Sequence, residues 1–201
     1  MQYLTIIGLS LATATFGCGL VADLTLSMQD HTLSRRMFKL KNILSVASAP
    51  MECLITLLYW SLRAIDPKLV LPDWAPPLPF LADLSFHAVP SVALVVDLLF
   101  FSPPYAIAFL PALALSGCIA FGYWFWIEQC YQHNQFYPYP LFEVLTLYQR
   151  IGLFAFSALL MALATALLAW LYNAVNGKHM EDLGNGDFNK REARSGNVKE
   201  E

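Results

Sequence analysis

One apolar stretch, residues 79–102 (PFLADLSFHAVPSVALVVDLLFFS), carries Asp83, His87 and Asp97. About 20 such residues suffice to cross a bilayer. Ionisable groups at that depth are costly, from about 2.5 kcal/mol for a central charge, so they face a bundle interior or a wet cavity. At about 3.6 residues per turn, one helix over this stretch places Asp83, His87, Pro90 and Asp97 on one side. An imidazole with a carboxyl one turn before it can take up and return a proton. His87 is the candidate base, and Asp83 is a candidate to orient it. Glu52, inside the preceding apolar run, is another.

The elements that must hold these groups are membrane helices. The chain has 201 residues, 57% hydrophobic and 13% charged, with mean hydropathy +0.51. A soluble domain is nearer a quarter charged. The sequence therefore predicts an all-α, polytopic membrane bundle of about five spans over residues 1–173. No basic groove interleaved with aromatic residues is present, which argues against nucleic acid as a partner. The partner expected is the lipid bilayer. The four cysteines show neither CxxC nor metal spacing and read as small hydrophobes, and His87 with Asp83 is too sparse for zinc. No metal and no cofactor is expected.

Span 1 is predicted over 3–26. Gly8, Ala12, Thr15 and Gly19 share a face with Thr5, a spacing of small residues that lets helices approach closely. A loop is expected at 27–42, with Arg35, Arg36, Lys39 and Lys41. Span 2, over 43–62, has a polar stripe of Ser45, Ser48, Glu52, Thr56, Tyr59 and Arg63 at intervals of three or four. Pro50 is expected to bend this helix. In the next loop, Trp74 among prolines suits the headgroup level. Span 3 is the His87 helix. Span 4, over 105–127, ends in Tyr123, Trp124, Phe125 and Trp126, read as an interfacial belt. Span 5, over 151–172, carries Ala155, Ala158, Ala162, Ala166 and Ala169 as a packing stripe. Residues 174–201, rich in Gly, Asn and charge, are expected to be a disordered tail.

Nine Lys and Arg residues fall in the first loop and the tail against three on the other side, which predicts a cytoplasmic C-terminus. Thr5 and His87 then lie in the same outer leaflet. Endoplasmic reticulum or another endomembrane is the expected location, for want of any other address signal.

Four stretches carry a resemblance. Tyr3-Leu4-Thr5 opens a span closed by Ala22-Asp23-Leu24. Leu40-Lys41-Asn42 leads through Ala49-Pro50 to Tyr59-Trp60. Pro72 and Trp74 precede the helical His87, and Tyr139-Pro140-Leu141-Phe142-Glu143 precedes the last span. In order and spacing this resembles the androgen-induced-gene family of multi-pass membrane proteins, which includes the androgen-dependent regulator of tissue factor pathway inhibitor. The resemblance implies an intramembrane threonine hydrolase that cleaves fatty acid esters of hydroxy fatty acids. By position, Thr5 would be the nucleophile and His87 its base, with a fatty acyl ester as substrate. Family members usually have a further helix before the threonine-bearing one, six spans in all; here Met1 stands four residues before Thr5.

A threonine hydroxyl needs a base within about 2.6–3.2 Å and a site for the oxyanion. A reading from a different class is a small transporter or channel subunit in which Glu52, His87 and Asp97 line a polar pathway. The hydrolase requires Thr5 and His87 together, and the pathway requires the acids.

Overall fold

A computed structural model describes residues 2–71, 76, 78–105 and 107–197. Among the described residues the chain is helical throughout, with no strand: α1 Leu4–Ser27, α2 His31–Ile65, α3 Phe80–His87, α4 Val89–Phe101, α5 Phe109–Asn134, α6 Leu141–Val144 and α7 Leu147–Asn197, with a short 3-10 turn at Pro67–Leu69. α1, α2, α5 and the Leu147–Gly177 part of α7 are each long and apolar enough to cross a membrane, and α3 with α4 makes a bent fifth span. Pro72, Trp74 and Pro77 lie outside the described residues, so the headgroup expectation for Trp74 is not addressed. The helical backbone of α7 runs on to Asn197, through most of the segment expected to be a tail.

Two helices differ from their expected form. α2 starts at His31, well before the expected Ile43, so the four basic residues of the expected loop sit on its first turns. Asp30 caps it: its carboxylate accepts from the Leu33 amide at 3.0 Å. Leu, Arg, Lys and Met are good helix formers, so nothing after the cap interrupts the helix. The expected single helix over 79–102 is instead broken at Ala88 (φ −140°, ψ −42°), with a bend of 41°. Pro90 explains the break. It has no amide proton, and its ring would collide with the carbonyl one turn earlier, so it is accommodated in the first turn of α4. One face shared by Asp83, His87 and Asp97 does not survive the bend.

α2 is the central helix. It packs on α1, α3, α4 and α7, and 44% of its apolar window is buried, the highest share of the four long spans. The small-residue face of α1 is what meets it: Gly8, Ala12, Thr15 and Ala22 are buried, and Thr15 is bonded to Ser48 at 3.2 Å. Two of the five alanines in the α7 stripe behave likewise. Ala158 and Ala162 are buried, Ala169 is half-buried, and Ala155 and Ala166 face outward. The outer surface is apolar, as lipid requires; Leu20, Val92, Phe100, Leu110, Phe125 and Trp170 are each at least 60% exposed.

Candidate active site

The end of the bundle where α1 begins holds two adjoining features, a polar cluster and an apolar cavity. The cluster joins α2 to α3. Asp83 is wholly buried. Its Oδ1 accepts from the Tyr59 hydroxyl at 2.5 Å and meets His87 Nδ1 at 3.0 Å, and its Oδ2 pairs with Arg63. Arg63 also donates to the Tyr59 oxygen at 3.1 Å. The Tyr59 and His87 rings stack at 3.5 Å, 3° from parallel. A buried carboxylate is tolerable only when it is paired and hydrogen-bonded, and here a cation, a phenol and an imidazole share that task. The sequence builds it locally. Tyr59 and Arg63 are one turn apart on α2, and Asp83 and His87 are one turn apart on α3.

This geometry fixes the histidine. Nδ1 lies within bonding distance of both the Asp83 carboxylate and, at 3.1 Å, the Asp83 carbonyl. Two acceptors there assign a proton to Nδ1, so in the neutral ring Nε2 carries the lone pair. Among the described residues Nε2 has no hydrogen-bond partner. A neutral imidazole held at one nitrogen by a carboxylate and free at the other is the orientation a general base needs.

The cavity lies between α1, α2, α5 and α7, has a volume of about 90 Å³ and is open at its mouth. Its wall is almost entirely apolar, with Ile55, Tyr59, Tyr123 and Phe154 among the lining residues, and Tyr139, Leu141 and Phe142 close it from the connection before α7. Thr5 is in the wall. Its neighbour there is the Tyr139 hydroxyl, which interacts with the Thr5 side chain and backbone. Burial holds the Tyr139 pKa above its ordinary value, so this phenol stays protonated and able to donate. The chain before α1 is fastened beside it: the Tyr123 hydroxyl donates to the Gln2 carbonyl at 2.8 Å, and Tyr3 meets Tyr139 edge-on at 5.9 Å.

The structure thus places Asp83 against His87, while Glu52 and Asp97 stand elsewhere. Glu52 faces Gly8 of α1. Asp97 lies at the opposite end of the bundle, where its Oδ2 meets Lys41 Nζ at 2.7 Å and the Ser102 hydroxyl at 3.2 Å. Thr5 and His87 are not hydrogen-bonded to each other; Tyr59, which lines the cavity and stacks on His87, is the residue they share. The aromatic belt expected at 123–126 is divided. Tyr123 is core, Trp124 stacks on Phe154 and donates to Glu128 at 3.1 Å, and only Phe125 and Trp126 face outward.

The family model for FAR-17a/AIG1-like proteins matches residues 1–173. The chain belongs to that family. It is 38% identical, over 145 residues, to a UPF0641 membrane protein of Schizosaccharomyces pombe. That match covers 72% of this chain and 62% of the fission-yeast protein, so the chain spans less than two thirds of that relative's length. No solved structure matches.

Two groups of this FAR-17a/AIG1-like site were not assigned roles by sequence reasoning. Tyr59 and Arg63 stood on the α2 stripe, and their position as its last two members, next to the acid and histidine of the following span, was the available signal. Tyr139 was named only as part of the Tyr-Pro stretch, and nothing in its spacing from Thr5 links the two.

Proposed function

We propose that this FAR-17a/AIG1-like protein is an intramembrane lipid-ester hydrolase with Thr5 as nucleophile and His87 as base, acting on fatty acid esters of hydroxy fatty acids. One observation carries the reading. A threonine hydroxyl stands in the wall of an apolar cavity, and Tyr59, which also lines that cavity, stacks on an imidazole whose Nδ1 is held by Asp83. An acyl chain would gain about 25 cal/mol for each Å² of apolar surface it loses to such a cavity. The Tyr139 hydroxyl, protonated and beside Thr5, is placed to donate to an oxyanion forming there. Attack requires Thr5 Oγ1 to reach a base at about 3 Å; catalytic contacts of this kind commonly close only when substrate is bound.

In acylation, the Thr5 oxygen bonds to the ester carbonyl carbon as its proton passes to His87 Nε2. The bond to the alkoxide oxygen then breaks, and that oxygen takes the proton from Nε2 and leaves as the hydroxy acid. Water reverses the sequence and frees the fatty acid.

The pathway reading has less support, because Asp97 is bound to Lys41 and so does not join Glu52 and His87 in one channel. The experiment is hydrolysis of a branched ester of palmitic and hydroxystearic acid by the protein in lipid nanodiscs, with wild type, Thr5→Ala and His87→Ala at equal folded amount. Loss of activity in both variants is expected. Undiminished activity in Thr5→Ala would remove the nucleophile.

A further inference from the structure

The described structure contains one buried acid that neither the cluster nor the cavity uses. Glu52 is fully buried, and neither carboxyl oxygen has a hydrogen-bond partner in the protein. On the same face of α2, the buried oxygens Ser45 Oγ and Thr56 Oγ1 are also without protein partners. Ser48, between them, is bonded to Thr15. Such groups at successive helical turns form a column of acceptors and donors between α1 and α2. A buried carboxyl with nothing to bond is among the costliest arrangements in a protein, and internal water held by two to four polar groups is the ordinary remedy. Gly8 lets the carboxyl lie directly against α1: a Cβ at that position would stand 2.5 Å from Glu52 Oε1.

We infer that Glu52, with Ser45 and Thr56 on either side of it along α2, holds internal water between α1 and α2. Its place gives it a use, which rests on the hydrolase reading. The cavity wall is almost entirely apolar and offers water few hydrogen-bond partners. Hydrolysis nonetheless consumes one water per turnover. Gly8, against which Glu52 lies, is one helical turn from Thr5, and Ile55 touches both the Gly8 position and the cavity. The column is therefore a second buried polar region near Thr5, beside the His87 cluster. In deacylation its water would supply the oxygen that bonds to the acyl carbon as the bond from Thr5 Oγ1 breaks. One proton passes through His87 Nε2 to Thr5 Oγ1, and the other leaves on the fatty acid.

Two measurements on the full chain in nanodiscs test this. The first is a structure at a resolution that shows ordered water, for wild type and Glu52→Leu. Water within hydrogen-bonding distance of Glu52 in wild type and absent in the variant is expected; a dry Glu52 overturns the site. The second is pre-steady-state hydrolysis of the palmitic–hydroxystearic ester. In Glu52→Leu hydroxy acid should still be released in a first burst of about one per folded molecule while the steady-state rate falls at least tenfold. An unchanged steady-state rate overturns the supply role. Absence of any hydrolysis in wild type would instead sink the hydrolase reading, and the water structure would still decide whether the site exists.

Discussion

Two buried ion pairs tie α2 to the bent third span, one at each end, and they differ in what they leave over. At the Ser102 end, Lys41 is 3% exposed and spends its ammonium on the Asp97 carboxylate, the Phe101 carbonyl at 3.2 Å and the Ser102 hydroxyl at 3.0 Å. Three donors meet three acceptors, and nothing remains. At the Thr5 end, Asp83 binds Arg63, Tyr59 and His87, yet one imidazole nitrogen is left without a partner and an apolar cavity adjoins the cluster. A saturated cluster can only hold helices together. One with a spare lone pair beside a cavity can also do chemistry.

The comparison breaks most easily at its chemical end. Thr5→Ala and His87→Ala should each lower kcat/KM for the ester by more than about 10³-fold with the helical circular dichroism unchanged. Asp83→Asn, which disturbs the hydrogen bond that fixes the histidine, should cost about 10²-fold or more in kcat. The clamp should answer in stability instead. Lys41→Met leaves Asp97 buried without its cation, at about 3 kcal/mol, roughly 150-fold in the folding equilibrium. It should lower the unfolding temperature in nanodiscs, while the activity per folded molecule stays at the wild-type level. The Lys41→Met/Asp97→Leu double variant should recover most of that loss. If Lys41→Met instead removed activity from folded protein, the contrast between the two ends would fail. Tyr139→Phe removes one hydrogen bond near the nucleophile and should lower kcat about tenfold with little change in KM. Ser102→Ala is the smallest, about 1 kcal/mol of stability, read as a small shift in the same unfolding temperature.

The bundle was legible in the sequence because hydropathy and small-residue spacing are local signals. Gly8, Ala12 and Thr15 read as a packing face, and they are one. The α2 residues read as a polar stripe along a membrane helix, and Ser45, Ser48 and Glu52 of that stripe are buried. The His87–Asp83 contact was within reach for the same reason, since one helical turn is a local distance. What failed was whatever depended on helix geometry or on partners far along the chain. Pro90 was counted as a member of a polar face when its lack of an amide proton ends the helix that would have made that face. Asp97 was grouped with His87 by periodicity, but its partner, Lys41, lies in a segment expected to be a loop. Hydropathy marks where a helix is apolar and not where it begins, so the capped start at His31 was hidden. Tyr139 beside Thr5 is a contact across most of the chain, and no pattern in one sequence records it.

The length of α2 has one more consequence. Its 35 residues span about 52 Å, against about 30 Å for a hydrocarbon core. Lys41 and Tyr59, the points where the two clusters grip it, are about 27 Å apart along its axis. That separation is close to the thickness of the oily layer itself. The two clusters therefore work as a gauge. A thicker or thinner membrane cannot slide along this helix without drawing one charged knot into hydrocarbon or leaving the other stranded in water. The bundle must tilt, or the lipid around it must stretch, to bring the two back into register.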